Sequence, residues 1–481
     1  MRIGQAIRAY EQDIIHHIQQ LLRIDSVASV PLPGKPFGEG VDRALAYMLD
    51  LGRTMGFKTT NVDGYAGHVE YGSGTELVAV LVHLDTVPLG SGWTMEPLGG
   101  CIHEGNIYGR GAADNKGPAV VALYALKALK DAGIAPRKRV RVIFGTNEEN
   151  GMTDMDYYFT KEPLPDYSFT PDAGYPITHA EKGYYVFRLT SPRQAAQGQL
   201  LEMIGGTAPN VVPERCRAVL ASQGHDDEGA DAWLAQLAGG DADMDHPGKI
   251  EVARIEDGLI EVVAHGKSGH GSYPPSGQNA IAYMADYLHL LASLPEGMKE
   301  AEYVEDPFVA FIRSFIGHEA FGESLDLACS DEQHGRLTVN LAQISVNRDN
   351  AEAVLNIRYP VTADGAQLRE TLIGKAAQFG IEVETVSHMA PLYVAPEHPL
   401  IVKLSAAYET IMGEPAKLLS IGGGTYARKL QNRGVAFGAG FGRDNHVHQP
   451  DEFVAIADMM LHGEICTQAI YELIREVHYD T

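Results

Sequence analysis

In the first third of the chain, segments with the apolar pattern of a strand alternate with a segment that has the apolar pattern of a helix. Residues 76–85 (ELVAVLVHLD) form a short apolar run, which is typical of a parallel strand buried on both faces. In residues 117–133 (GPAVVALYALKALKDAG) valine and leucine recur at helical spacing up to a closing glycine, which predicts a helix. Residues 139–150 (RVRVIFGTNEEN) start as a second strand and run into a polar loop. This β-α-β order predicts an α/β fold with a mixed, mostly parallel sheet, whose ligands gather at the carboxyl ends of the strands.

The pattern changes in the middle of the chain and returns near the end. Alternating β-branched residues predict strands at 258–266, 336–346 and 353–361. Helical periodicity predicts helices at 279–294 and 366–380. From about residue 399 the α/β pattern is found again. We therefore predict a discontinuous α/β domain, residues 1–183 with 392–481, interrupted by an α+β domain of two similar halves, residues 184–391. The most acidic stretch, residues 224–245, is expected to be a solvated helix and loop.

Composition and charge narrow the classes of function. The chain has 481 residues, with 38 Lys+Arg against 63 Asp+Glu and a formal net charge of -25. The electrostatic field of such a negative net charge repels nucleic acid and anionic membranes, so neither is an expected partner. The four cysteines form no CxxC pair, which argues against a disulfide framework or thiolate zinc site and favours the cytoplasm. We see no signal-peptide pattern and no apolar run approaching a membrane span.

Histidines and carboxylates stand at the predicted strand ends. His83 and Asp85 lie two residues apart in a strand and so share a face, where Asp85 could accept the His83 ring proton and direct the other nitrogen to a metal. A structurally paired histidine explains this motif alone more simply. Asp114 lies where GRGAADNKGP ends a strand and opens a helix, so it could equally cap that helix. The glycine spacing there fits neither the P-loop nor the dinucleotide-binding pattern.

Glu148 and Glu149 are adjacent carboxylates at a strand end. Their side chains diverge, so one can ligate a metal while the other acts as a base. Asp172 and His448 are individually weak candidates, and His446 is a less favoured alternative to His448. Together these residues supply oxygen and nitrogen ligands without thiolate, as a catalytic pair of zinc or manganese ions requires.

Seven motifs, in order along nearly the whole chain, resemble the aminoacylase/carboxypeptidase group of co-catalytic zinc peptidases. They are HLDTVP, GRGAADNKGP, TNEENG, PDAG, GKSGHGSYPPSGQNAI, IGGGTYAR and HQPDE. The resemblance is strongest to the dipeptidase V branch (Xaa-His dipeptidase, carnosinase-like). It implies a zinc-peptidase catalytic domain with two Zn²⁺ per chain, Mn²⁺ or Co²⁺ being alternatives. The implied substrates are short peptides, namely Xaa-Xaa dipeptides and β-alanyl dipeptides.

The resemblance also implies a set of metal ligands. Asp114 would bridge both ions, His83 and Asp172 would complete the first site, and Glu149 and His448 would complete the second.

The remaining site residues follow from the same resemblance. Glu148 would be the general base for a metal-activated water, and His270 would stabilise the oxyanion from the inserted domain. Asp85, as the residue that orients His83, completes the predicted catalytic set. Substrate-binding positions would be Asn210, Arg358 and, in the GGGT turn, Gly423.

The length of the insertion fits the doubled lid of the dipeptidase V branch, which supplies its histidine within one chain. We therefore expect residues 184–391 to form a lid domain and the protein to be a self-sufficient monomer, with a homodimer as the alternative. The segment GRDNHVHQP departs from the family pattern and leaves specificity open. Two other functions stay open: an N-acyl-amino-acid deacylase or desuccinylase with the same metal chemistry, and a metal-binding protein without catalysis.

Overall fold

The computed structural model describes residues 2–193, 199–221, 249–256, 258–293 and 303–475. Contacts divide the chain into two units: unit 1, residues 1–180 with 392–481, and unit 2, residues 181–391. Each unit has its own cluster of buried apolar side chains. The acidic stretch at residues 224–245 lies outside the described residues. Within the described ranges no helix combines the length and apolarity that crossing a bilayer needs.

Unit 1 begins with helices and continues with alternating strands and helices. Its helices before the insertion are α1 (Glu11–Leu22), α2 (Glu39–Thr54), α3 (Lys116–Asp131) and α4 (Thr153–Lys161). Its strands there are β1 (Lys58–Val62), β2 (Ala66–Tyr71), β3 (Leu77–His83), β4 (Cys101–His103), β5 (Asn106–Tyr108), β6 (Arg139–Gly145), β7 (Tyr167–Thr170), β8 (Ala173–Gly174) and β9 (Ile177–Glu181).

Unit 2 is rich in strands, both long and short. They are β10 (Gly183–Pro192), β11 (Leu200–Gly205), β12 (Val211–Val212), β13 (Arg215–Ala221), β14 (Ile250–Glu256), β15 (Leu259–His265), β16 (Gly269–His270), β17 (Ser330–Asp331), β18 (Gly335–Arg336), β19 (Thr338–Val346), β20 (Asn350–Tyr359) and β21 (Glu382–Met389). The helices described there are α5 (Ala280–Ser293), α6 (Pro307–Phe315) and α7 (Gly365–Ala377). Strand β20 ends before the predicted residue 361 because Pro360 has no N–H to donate to a ladder.

The chain then returns to unit 1. The returning elements are β22 (Leu392–Tyr393), α8 (Pro399–Met412), β23 (Leu418–Ile421), β24 (Gly434–Ala436), β25 (Ala439–Gly440), β26 (Phe453–Ala455) and α9 (Ile456–Ile474).

The main sheet of unit 1 is mixed, as predicted. Its strand order is β1-β2-β6-β3-β7-β24-β9-β22, with β23 paired to β9. Parallel pairings join β6, β3, β7 and β24 at the centre, and antiparallel pairings join β1, β2 and β6 towards one edge and β24 and β9 towards the other. Strands β3 and β6 are paired in register up to His83 and Gly145. Both strands therefore end at the same edge of the sheet, and the polar loops that follow them start side by side.

Unit 2 contains an eight-stranded antiparallel sheet with the order β14-β15-β13-β11-β19-β20-β10-β21. Four of its strands come from residues 200–265, and the other four come from the chain on either side of that segment. The two groups meet where β11 pairs with β19. The insertion therefore contains one continuous sheet in which two groups of four strands are joined edge to edge.

Candidate active site

His83 is the last residue of β3, in which every residue is buried. Its side chain is 1% exposed. Nδ1 lies 3.0 Å from the carbonyl oxygen of Asp85, and Nε2 lies 2.8 Å from Oδ1 of Asp114. With Nδ1 donating its proton to that carbonyl oxygen, Nε2 is the nitrogen that can bind a cation.

Asp85 has partners other than the one predicted for it. Its nearer carboxylate oxygen is 3.5 Å from Nδ1 of His83, too far for a good hydrogen bond, and its carbonyl oxygen takes that place. The two carboxylate oxygens instead accept the backbone N–H groups of Glu148 and Glu149, each at 3.1 Å. Asp85 therefore fixes the backbone of the two glutamates directly and orients His83 through its main chain.

Asp114 lies between the two histidines predicted as metal ligands. Its Oδ1 faces Nε2 of His83 at 2.8 Å, and its Oδ2 faces Nε2 of His448 at 3.1 Å. The side chain makes no cap for α3, whose N-cap residue is Asn115. A carboxylate with one oxygen towards each histidine is arranged as a bridge between two cations.

Glu149 and His448 meet on the far side of Asp114. Oε1 of Glu149 is 3.0 Å from Nε2 of His448, although the two residues are 299 positions apart in sequence. The less favoured alternative, His446, packs edge-on against Phe453 with ring centroids 5.8 Å apart. Of the two histidines in this segment, His448 is the one that contacts the other candidate ligands.

Asp172 and Glu148 stand on the His83 side. Oδ1 of Asp172 lies 3.7 Å from Nε2 of His83 and accepts a hydrogen bond of 3.2 Å from Nδ2 of Asn115. One ligand atom each of His83, Glu148 and Asp172 lies within 4.8 Å of the others, and the same is true of His83, Asp114 and Glu149. The structure thus brings all five sequence-predicted ligands, and Glu148, to one place.

The donor set fits a pair of divalent metal ions. Two ligands of a tetrahedral zinc ion at about 2.1 Å from it lie about 3.4 Å apart. The distances between candidate ligand atoms here range from 2.8 to 3.7 Å. All donors are imidazole nitrogens or carboxylate oxygens, which suit zinc or manganese. The residues present therefore fit the metal centre that the motifs imply.

Burial and mutual repulsion dominate the electrostatics of this cluster. Burial, followed by the charge of Asp172, raises the pKa of Glu148 well above its ordinary value. Burial and the charge of Asp114 raise the pKa of Asp172 to about 7. Burial alone would lower the pKa of His448, but hydrogen bonds to Asp114 and Glu149 raise it to about 11. Four carboxylates against two imidazoles leave an excess of negative charge that divalent cations would neutralise.

Glu452 is a site residue that the sequence reasoning missed. It is fully buried, and its Oε1 accepts the backbone N–H groups of Gly111, Ala113 and Asp114 at 3.1, 3.0 and 3.2 Å. Its Oε2 accepts a hydrogen bond of 2.7 Å from Arg110. Glu452 therefore holds the loop that carries the central carboxylate. Its position four residues after His448, in the HQPDE motif, was the signal that could have found it.

Asp154 holds the loop before the two glutamates in the same way. Its Oδ2 accepts the backbone N–H groups of Thr146 and Asn147 at 2.6 and 3.1 Å, and it also accepts a hydrogen bond from the hydroxyl group of Tyr426. A Cβ atom on Gly145 would lie 2.0 Å from that hydroxyl oxygen, so glycine is required there. This contact links the chain after the GGGT turn, with its predicted substrate-binding Gly423, to the loop that carries Glu148.

The residues of unit 2 that were predicted for the site, the catalytic His270 and the substrate-binding Asn210 and Arg358, lie near one end of β19. His270 is paired with Val211, and the carbonyl oxygen of Asn210 accepts the N–H of Gly271 at 2.7 Å. Arg358 is paired with Thr338, the first residue of β19. The hydroxyl group of Thr338 donates to the carbonyl oxygen of Ser272 at 3.2 Å, and Asn340 donates to the carbonyl oxygens of Pro209 and Val211 at 3.2 and 2.9 Å. Unit 2 therefore gathers Asn210, His270 and Arg358 around these strands.

Arg358 is held in a defined position. Its Nε donates to Oδ1 of Asn356 at 2.9 Å, and its guanidinium group lies over the ring of Tyr184, 4.4 Å from the centroid. The side chain is 7% exposed. Such a fixed guanidinium group is suited to binding a carboxylate.

Comparisons with known proteins identify the family of the chain. The model of peptidase family M20/M25/M40 matches residues 79–472. The protein named "Putative dipeptidase YtjP" of Bacillus subtilis (strain 168) is 38% identical over 473 residues, covering 97% of this chain and 98% of its own. A protein of the same description from Staphylococcus aureus (strain USA300) is 32% identical over 486 residues, covering 98% and 99%.

Solved structures show the same fold at low sequence identity. Human carnosine dipeptidase 1 aligns with a TM-score of 0.59 at 16% identity, covering 98% of both chains. The aminoacylhistidine dipeptidase of Vibrio alginolyticus aligns with a TM-score of 0.54 at 14% identity, covering 96% of both chains. From the family model and the full-length relatives we conclude that the chain belongs to peptidase family M20/M25/M40.

Proposed function

We propose that this protein is a metal-dependent dipeptidase that hydrolyses the amide bond of short peptides, with two Zn²⁺ ions as its cofactors. The observation that carries the proposal is the carboxylate of Asp114 between His83 and His448, with Glu148 in the same cluster. Relatives named as dipeptidases that match this chain over almost its whole length support the choice of short peptides.

The five predicted ligands would hold the two ions. His83, Asp114 and Asp172 form one set, and Asp114, Glu149 and His448 form the other. When bound, the ions polarise the scissile carbonyl group and lower the pKa of the attacking water. Mn²⁺ and Co²⁺ accept the same oxygen and nitrogen ligands and are the alternatives to Zn²⁺.

Glu148 moves the proton in this proposal. As general base, its carboxylate takes a proton from the attacking water and then delivers it to the nitrogen of the leaving amine. Asp85 keeps Glu148 in place, because its carboxylate accepts the backbone N–H groups of Glu148 and Glu149.

We assign substrate binding to residues of both units. Arg358 would bind the C-terminal carboxylate of the peptide, with backbone amides of the turn around Gly423, and Asn210 and His270 would contact the scissile group. This assignment is supported by the fixed guanidinium group of Arg358 and by the hydrogen bonds that join the segments of Asn210 and His270 to β19, the strand paired with that of Arg358. We further propose that the lid formed by residues 184–391 serves its own chain, so that the active protein is a monomer.

Metal analysis combined with a substrate panel tests the proposal. We expect purified protein to bind two Zn²⁺ per chain and to cleave Xaa-Xaa dipeptides, and we expect chelation to abolish this activity until metal is restored. Panels of β-alanyl dipeptides and N-acyl amino acids complete the comparison. Cleavage of N-acyl amino acids without cleavage of any free-amino dipeptide would overturn the assignment as a dipeptidase.

A further inference from the structure

Unit 1 contains a cavity of about 440 Å³ beside the candidate metal ligands. Asp114 and Asp172 form part of its wall, so a group bound in the cavity lies next to the proposed metal centre. Its volume falls within the roughly 300–1,000 Å³ of typical small-molecule sites. The roles proposed so far for the metal ligands and the substrate-binding residues assign no part of the substrate to this cavity.

One side of the cavity is a short parallel ladder with little side-chain volume. Strand β8 pairs with β25, so Gly174 lies opposite Gly440. The ladder is fixed on both sides of Gly174, since Ala173 donates its N–H to Gly438 at 2.6 Å and Tyr175 donates to Gly440 at 2.7 Å. A Cβ atom built on Gly174 meets no atom within 4 Å. The space beside Gly174 is therefore open to a substrate side chain.

The buried part of the wall is apolar except for two neutral polar groups, the ring of His462 and Oδ1 of Asn445, which has no hydrogen-bond partner among the described residues. Val454 and Met459 are buried there. His462 is 1% exposed, its Nδ1 lies 2.8 Å from the hydroxyl oxygen of Tyr175, and its Nε2 has no hydrogen-bond partner among the described residues. Burial lowers the pKa of His462 to about 3, so its ring is neutral near pH 7.

Charged groups other than the metal ligands lie at the exposed part of the cavity. Among the described lining residues these are Arg443 and Asp444, both exposed. Nε of Arg443 is 3.0 Å from the carboxylate of Asp458, so this guanidinium group already has an anionic partner. A charged substrate side chain in the buried part would lack a counter-ion, and burying such a charge is unfavourable. The lining therefore favours uncharged, apolar side chains.

The position of the cavity indicates which end of the substrate it receives. Glu148 has to reach the nitrogen of the leaving amine, which belongs to the C-terminal residue, and Glu148 is absent from the lining of the described cavity. The cavity, which lies on the side of Asp114 and Asp172, therefore receives the N-terminal residue of the substrate, whose carbonyl group belongs to the scissile bond.

We propose that this cavity receives the side chain of the substrate's N-terminal residue and selects uncharged, apolar side chains of the size of Leu, Met or Phe. This inference rests on the proposed dipeptidase function and adds a substrate class to it. Gly174 is then a specificity-determining residue, because its missing side chain leaves room for the N-terminal side chain of the peptide.

Substitution of Gly174 provides the test. Gly174→Leu would extend a side chain from the cavity wall, where the added Cβ meets no atom within 4 Å, and Gly174→Ala adds one methyl group as the milder variant. The probes are Leu-Gly, Phe-Gly and Gly-Leu, with kcat/KM measured for each at saturating Zn²⁺. We expect Gly174→Leu to lower the ratio of kcat/KM for Leu-Gly to that for Gly-Leu by about tenfold or more, and Gly174→Ala to lower it less.

The matched control is Gly374→Leu in α7, where an added Cβ also meets no atom within 4 Å and the residue is exposed. We expect this variant to keep the wild-type ratio. An unchanged ratio in both Gly174 variants, or a larger loss for Gly-Leu than for Leu-Gly, would overturn the assignment of the cavity. Failure of the wild-type protein to cleave any of the three dipeptides would instead refute the proposed function itself.

Discussion

Two adjacent glutamates at the centre of the site have different contacts, and the difference predicts different losses. Glu149 contacts His448 at 3.0 Å, whereas Glu148 is assigned the proton transfer. We expect Glu148→Gln to retain both metal ions and to lower kcat by about 10²–10⁴-fold, because a neutral amide cannot accept the proton. Glu149→Gln should instead lower metal content. Metal analysis and steady-state kinetics on both variants check this prediction, and loss of metal from Glu148→Gln would contradict it.

Glu452 shows how a residue that is not a ligand can control a ligand. Its carboxylate accepts three backbone N–H groups of residues 111–114 and a hydrogen bond from Arg110. In Glu452→Gln an amide nitrogen replaces one of the two accepting oxygens. Because this nitrogen can only donate, it faces another donor and the hydrogen bond is lost. We expect metal affinity to fall by about 10–100-fold, the range found when groups that orient metal ligands are lost.

The neighbouring Asp451→Asn is the matched control for this measurement. The side chain of Asp451 accepts hydrogen bonds from Thr94 and Met95 rather than from the loop that carries Asp114. Competition titration with a zinc indicator gives the affinity of each variant. Equal losses in Asp451→Asn and Glu452→Gln would argue against a specific role for Glu452.

At the scale of single elements, strand β2 carries a buried histidine that ties stability to pH. His68 is 1% exposed and lies 2.8 Å from the hydroxyl oxygen of Tyr158. Burial, followed by the charge of Arg141, lowers its pKa from 6.5 to about 3. Between these pH values the unfolded chain binds a proton that the folded chain does not bind. The free energy of unfolding therefore falls as the pH falls below 6.5.

This linkage predicts the behaviour of His68→Gln. When the pH is lowered from 7 to 5, the free energy of unfolding of the wild-type protein should decrease by about 2 kcal/mol more than that of the variant. Urea denaturation of the chelator-treated proteins at both pH values measures the difference, and the exposed His103→Gln serves as control. Equal losses in the wild-type protein and His68→Gln would show that His68 does not contribute.

The elements also show what sequence could and could not reveal. Strands β3 and β6 and helix α3 lie within a few residues of their predicted bounds because their apolar periodicity is local. The partners of Asp85 could not be foreseen, since they depend on the register that brings the loops after β3 and β6 together. Strand β24 has three residues and too little pattern to predict, yet its parallel pairing with β7 returns the C-terminal chain to the sheet.

At the scale of the whole molecule, the insertion leaves the first sheet intact. The chain departs from unit 1 after β9 and returns in β22, and these strands are neighbours in the sheet order. Residues 181–391 therefore begin and end at adjacent strands, and unit 1 keeps its own apolar core on both sides of the interruption. Residues 181–391 thus form a separate sheet of eight strands with its own core.

The proposed monomer leads to a test of whether one chain builds one complete site. Glu148 belongs to unit 1 and His270 to unit 2. If both residues act within the same chain, every chain in a mixture of Glu148→Gln and His270→Ala proteins lacks one of the two residues that its own site needs. We therefore expect the mixture, co-expressed or mixed after reversible unfolding, to remain as inactive as the separate variants, and light scattering to give the mass of one chain. If chains exchanged their lid histidines, some sites in the mixture would combine an intact Glu148 with an intact His270. Recovered activity would then show that the lid of one chain completes the site of another.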